Sequence, residues 1–217
     1  MLKKLSSIGI RNQKVAFAFL IATHTAGAIG LLYEPTSALF QMLTPFNLLV
    51  TGALIFHFEE KKTTSYFIFI FLIAALGFFA EVLGVKTGVI FGEYTYGDTL
   101  GFKIFDVPLS IGLNWAILIY ISGIVSNRIA KNTIVRSVIG ALIMVVLDIL
   151  IEPVAIEYDF WNWGAANIPM QNYFGWFILS LLLHGIFQKL KFEKNNTLAL
   201  KLLIIQFIFF AVLNFLN

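Results

Sequence analysis

Three carboxyl side chains stand where carboxyls are costly. Glu81 follows Phe78-Phe79-Ala80 and precedes Val82-Leu83, and Asp148 and Glu152 interrupt a second apolar run. An acid within a membrane segment is a functional-site hypothesis by default. Asp148 and Glu152 are four apart, so on a helix both face one side. Two carboxyls close together in low dielectric cannot both carry charge cheaply. One of the pair is therefore expected to keep its proton, which makes it a donor. Asp148, coupled to Glu152, is the first choice for that acid, and Glu81 for the group that polarises a water and takes up its proton. Exchange of the roles of Glu81 and Asp148 stays open.

Aromatic residues follow each acid in the same frame. Glu81 leads to Tyr94-Thr95-Tyr96-Gly97, then Pro108 and Trp115; Asp148 leads to Trp161-Asn162-Trp163-Gly164, then Pro169 and Trp176. The interval from acid to first ring is shared (81 to 94, 148 to 161), and so is the interval from proline to tryptophan (108 to 115, 169 to 176). Single tryptophans and tyrosines gather at membrane interfaces in any case. The matched spacing instead favours a cleft lined by Tyr94, Tyr96, Trp115, Trp161, Trp163 and Trp176, whose electron-rich faces suit a cation. Asn114 and Asn172, amides at helix openings, are candidates to orient a water or to bond a neighbouring helix. Asp106 and Asn167, each two residues before a helix-opening proline, are expected to cap helix starts.

The elements that must position these groups are membrane helices. The chain of 217 residues is 59% hydrophobic and 12% charged with a mean hydropathy of +0.87, whereas a soluble domain carries about 25% charge. Apolar runs near the roughly 20 residues that cross a bilayer occupy 15–33, 39–58, 65–84, 108–126, 133–151, 172–187 and 198–216. Pro45 is expected to open a shorter second helix, leaving 39–43 as a separate piece, and Pro153 to end the fifth. With the amino terminus cytoplasmic, all of the 15 lysines and arginines except Lys86 and Lys103 fall inside, as the positive-inside rule requires. The expectation is an all-α integral membrane protein of seven transmembrane helices, amino terminus inside and carboxyl terminus outside. It would form one domain over 1–217, with parallel hairpin repeats at about 66–127 and 133–188.

Several classes fall away. Zero cysteines exclude thiolate metal sites, iron–sulfur clusters and cysteine nucleophiles. The net charge of +3 sits in short connecting segments and gives no nucleic-acid surface. His24, His57 and His184 lie on separate helices without a histidine-rich box, and there is no glycine-rich phosphate loop or aspartate-rich diphosphate motif.

Phe79-Ala80-Glu81-Val82-Leu83-Gly84, then 88–97, Val107-Pro108 and Asn114-Trp115, resemble the carotenoid biosynthesis membrane family that includes the carotenoid 1,2-hydratases. Asp148-Ile149-Leu150-Ile151-Glu152-Pro153, Trp161-Asn162-Trp163 and Ile168-Pro169-Met170-Gln171-Asn172-Tyr173 continue the likeness, which spans about 78–176. The resemblance implies an enzyme without metal or cofactor that adds water to the terminal C1=C2 double bond of an acyclic or monocyclic carotenoid. It implies carotenoid, water and lipid as partners, with neighbouring carotenoid-pathway enzymes nearby, in the cytoplasmic membrane. The competing expectations are a carotenoid cyclase, which starts from the same alkene protonation, and a proton-coupled transporter using Glu81 and Asp148 as a relay.

Overall fold

A backbone in lipid must satisfy its own hydrogen bonds, and helices do so within one segment. The computed structural model describes residues 2–216, with side chains from position 12 onward. The side chains of Lys3, Lys4 and Arg11, which entered the charge bias above, lie outside the described residues. The elements are α1 (Leu2–Leu32), α2 (Glu34–His57), α3 (Thr64–Thr87), β1 (Tyr94–Tyr96), β2 (Lys103–Ile104), β3 (Val107–Pro108), α4 (Leu109–Ile129), α5 (Thr133–Glu157), β4 (Trp161–Trp163), α6 (Met170–Lys189) and α7 (Leu198–Leu216). Six helices are long and apolar enough to cross a membrane: Asn12–Leu32 of α1, then α2, α3, α4, α5 and α7. α6 carries Gln171, Asn172, Ser180, His184 and Gln188 among its apolar residues, and it is not one of the six.

α4 is the axis of the bundle. In its apolar stretch 78% of residues are buried, against 17% to 39% in the other five. It packs against α2, α3, α5, α6 and α7, while α1 lies across α2 and α7. The exposed leucines, isoleucines and phenylalanines of the outer helices, such as Phe71, Ile149 and Phe174, face the surroundings, as the lipid face of a membrane bundle must.

Both prolines lie inside helices, contrary to expectation. Pro45 sits within α2 and Pro153 within α5. Membrane helices keep such prolines because neighbouring groups take up the freed backbone atoms. The carbonyls that Pro45 and Pro153 leave without a helical N–H are those of Gln41 and Ile149, four residues back; Asn214 of α7 donates to the carbonyl next to the latter, Leu150 O (2.6 Å), and Thr44 to the one before the former, Phe40 O (3.1 Å). The acids accordingly stand within α3 and α5 rather than at their ends.

The outer connections fold as short strands. β1 and β4 pair antiparallel, Tyr94 opposite Trp163, Thr95 opposite Asn162 and Tyr96 opposite Trp161. β2 and β3 form a hairpin whose turn residues Phe105 and Asp106 have φ of 54° and 67°, the left-handed geometry that two-residue hairpins favour. Asp106 is thereby drawn into an ion pair with Lys86. It caps nothing: Pro108 and Pro169 occupy the N-cap positions of α4 and α6, with no side-chain cap at either.

Candidate active site

Glu81 is built into place from three elements. It lies on α3, 4% exposed, one turn beyond Gly77. A Cβ at Gly77 would come within 2.5 Å of Trp115 Cβ and Cγ. The bare backbone there lets Trp115 of α4 lie against α3, so its indole Nε1 donates to Glu81 Oε1 (2.8 Å). From β1, the hydroxyls of Tyr94 and Tyr96 donate to Glu81 Oε2 at 2.5 and 2.8 Å. Residues two apart on a strand point to one face, which is why a Tyr-Thr-Tyr triplet delivers two phenols to one carboxyl. Burial pushes both phenols well above their ordinary pKa, and the carboxyl of Glu81 beside them acts in the same direction. They remain donors.

The second acid site forms the same way from β4. Trp161 and Trp163 donate their indole Nε1 to Glu152 Oε2 at 3.1 and 2.7 Å. Asn172, at the start of α6, gives its amide to both α5 carboxyls: Nδ2 lies 2.8 Å from Asp148 Oδ2 and 2.9 Å from Glu152 Oε1. Asp148 and Glu152 are both 0% exposed. By chain interval Asp148 is the counterpart of Glu81, yet the paired indoles bond Glu152. The reason is that α5 continues through Pro153, which carries Glu152 round to the strand. Asp148 Oδ1 is buried without a hydrogen-bond partner, whereas every other carboxyl oxygen of the three acids accepts at least one bond.

The antiparallel pairing of β1 with β4 brings the two halves together. Glu81, Glu152, Tyr94, Tyr96, Asn114, Trp115, Trp161, Trp163, Asn172 and Trp176 line one void of about 20 Å³. Trp115 and Trp176 stack at one side of it, ring centroids 4.6 Å apart, and Tyr94 leans on Trp163 at 5.3 Å. Asp148 is the one anticipated site residue that does not line the void; it stands behind Asn172. Phe91 and Ile111 line it too and were not anticipated. Phe91 lies within the motif 88–97, but an apolar residue beside glycines carries no chemical signal of its own.

Ile111, Asn114 and Trp161 also line a second, apolar cavity of about 360 Å³ between α1, α2, α4, α5 and α7. The small carboxyl-lined void thus adjoins one end of a larger greasy space. Among the described residues the ion pairs, Lys61–Glu193, Lys86–Asp106 and Lys103–Asp98, all involve exposed side chains. Glu81, Asp148 and Glu152 have aromatic and amide donors around them and no ion-pair partner among the described residues. Such an arrangement can hold a proton in a dry setting, pass it to a poor base, and accept one back from water.

The family model described as carotenoid biosynthesis protein matches residues 41–217. Bisanhydrobacterioruberin hydratase of Haloarcula japonica is 32% identical over 109 residues, which is 45% of this chain and 36% of that protein. The chain thus matches only about a third of the length of that curated relative. No solved structure matches. Since the matched residues take in most of the chain, the chain belongs to the carotenoid biosynthesis protein family.

Proposed function

We propose that the chain is a cofactor-independent carotenoid hydratase, adding water across the terminal C1=C2 double bond of an acyclic or monocyclic carotenoid. The observation that carries this reading is that Glu81 and Glu152, with buried Asp148 behind Asn172, meet at one aromatic-walled void beside an apolar cavity. Alkene carbon is a very weak base, so the step needs a desolvated acid aimed at it. The Asp148–Glu152 pair, joined through Asn172, supplies that acid by sharing one proton. Glu152, which faces the void, carries the proton of the pair and delivers it to C2, while Asp148 stands behind Asn172 as its charge partner. The π pair becomes the new C2–H bond and leaves a tertiary cation at C1. The faces of Trp115, Trp176, Tyr94 and Trp163 stabilise it. Water attacks C1 through oxygen, with Asn114 orienting it, and its surplus proton passes to Glu81. Return of that proton to the α5 pair restores the site.

A void of about 20 Å³ has room for about one water beside the acids, which favours water capture over cyclisation. A transporter needs a polar route to the other face. Inward of the acids, Phe69, Ile73, Ile117 and Ile119 are wholly buried, a dry layer that speaks against a proton path. In this reading the chain is a single domain with seven spans, α6 included, in the cytoplasmic membrane with its amino terminus inside. The units 66–127 and 133–188 are then parallel repeats whose loop strands meet at β1 and β4. Expression in cells that accumulate lycopene or γ-carotene tests the proposal. A product one water heavier is expected; a product of unchanged mass would mean cyclisation.

A further inference from the structure

The large cavity is not uniformly greasy. Thr51 of α2 and Gln206 of α7 line it at 2% and 7% exposure, and Thr51 Oγ1 and Gln206 Oε1 are buried without any hydrogen-bond partner. His24 of α1, 8% exposed, lines the same space. Its Nδ1 lies 2.8 Å from the Leu20 carbonyl, its ring standing edge-on to Phe209. A carbonyl only accepts, so a neutral imidazole there carries its hydrogen on Nδ1 and leaves Nε2 a bare acceptor. Each orphaned polar atom in such a place costs stability. Two of them on two helices around one cavity, beside an imidazole that turns its acceptor nitrogen away from its own backbone bond, are a grouping that folding alone does not explain.

We infer that Thr51, Gln206 and His24 form a second recognition point in the cavity, which selects polyenes bearing a hydroxyl group over pure hydrocarbons. The inference rests on the cavity being the seat of the polyene, as proposed above. Gln206 Oε1, buried without a partner, and the bare Nε2 of His24 only accept. A ligand group that serves either of them must therefore donate, which a hydroxyl does through its one hydrogen and an ether or ketone oxygen does not. Thr51 Oγ1 can both give and take, so it can accept from that hydroxyl or bond its oxygen. The reacting end of the chain lies at the carboxyl-lined void, and Leu118, which also lines the cavity, is one helical turn deeper than Asn114 on α4. The cavity thus runs inward from the reacting end, and the hydroxyl it reads lies along the chain rather than at the bond being hydrated. A site built to bond a hydroxyl discriminates strongly against the analogue that lacks it, because its own polar atoms are then left unpaired.

The test uses the full chain in detergent micelles, titrated with lycopene and with a hydroxylated acyclic carotenoid of the same length, binding being followed by quenching of tryptophan fluorescence. The unaltered chain is expected to bind the hydroxylated polyene about 10-fold more tightly, in line with one or two buried hydrogen bonds. Gln206→Met and Thr51→Val together should bring the two affinities within about 2-fold by weakening only the hydroxylated ligand. These substitutions remove orphaned polar atoms, so the empty protein should unfold at the same or a higher temperature. Equal affinities in the unaltered chain, or variants that weaken both ligands alike, overturn the inference. So does a marked loss of thermal stability, which would assign these atoms to the fold. Product mass is read in parallel. Discriminating binding without a heavier product refutes hydration and leaves the recognition point standing, while hydration of both polyenes with equal affinity does the reverse. Binding of neither polyene refutes both.

Discussion

Asn172→Leu removes the one side chain that joins the two α5 acids while keeping the number and branching of its heavy atoms. Its amide gives one bond to Asp148 Oδ2 and one to Glu152 Oε1. Glu152 would keep Trp161 and Trp163 as donors. Asp148, whose Oδ1 has no partner to begin with, would be left wholly buried without a hydrogen bond. A hydrogen bond to a charged group contributes about 1.5–3 kcal/mol and one to a neutral group about 0.5–1.5 kcal/mol, so with one proton between the two acids the loss of one of each should cost about 2–4.5 kcal/mol, a large part of a typical domain's stability. The assay is thermal and denaturant unfolding in detergent micelles, with polyene conversion read on the same preparations. Adding Asp148→Leu to Asn172→Leu replaces both partners by apolar groups and should recover most of that stability, while conversion stays lost. The pair is in contact, so the double variant should depart clearly from the sum of the single ones. A cost below about 1 kcal/mol for Asn172→Leu, set against the usual worth of such bonds, or a double variant no more stable than the single, would refute the role given to Asn172.

Three further outcomes are expected. Glu152→Gln and Glu81→Gln keep shape and most donors, and each should lower hydration by about 10²-fold or more while the chain remains folded, as checked by circular dichroism and product mass; conversion within a few-fold of normal would remove that residue from the chemistry. Gly77→Ala would place a methyl group against Trp115 and should cost about 1–3 kcal/mol, with a shift in tryptophan emission as the bond to Glu81 is lost; an unchanged melting point and spectrum would contradict the close approach. Glu59, in the connection between α2 and α3, is 2% exposed and accepts from Tyr120 OH at 2.5 Å. Burial raises its pKa above the ordinary 4.5. The favourable contribution of its neutral form is therefore complete below that ordinary value and is lost as pH rises through the raised one. Glu59→Gln should flatten that part of the dependence of melting temperature on pH, and a variant with the same pH slope as the parent would refute it.

The acids and rings were legible because each is anomalous locally. Glu81 breaks an apolar run, and an aromatic-polar-aromatic triplet presents two rings to one face wherever it forms a strand. What joins them was not legible. The pairing of Tyr94 with Trp163 and Tyr96 with Trp161 is a contact between loops far apart in sequence, and neither triplet announces its partner. The identity of the acid bonded by the second triplet also escaped the interval count, because Pro153 reads as a stop while α5 continues through it. Asn172 was marked as a water-orienting or helix-bonding amide, and its bonds to Asp148 and Glu152 on α5 are of the second kind, although nothing in the sequence said that it would bridge both acids. Thr51 and Gln206 left no trace in the sequence at all. A threonine or glutamine in an apolar helix more often bonds a neighbour, and only the packing of α1, α2 and α7 leaves these two unmatched.

The most direct measurement is conversion of lycopene by the purified chain in deuterium oxide, with the product examined by mass spectrometry and NMR. A buried acid that protonates the alkene and a water that captures the cation should yield substrate plus one D₂O, with one deuterium fixed on carbon at C2 and surviving exchange back into ordinary water. A product lacking carbon-bound deuterium, a product whose carbon is labelled but which has gained no oxygen, or no conversion at all would contradict the account.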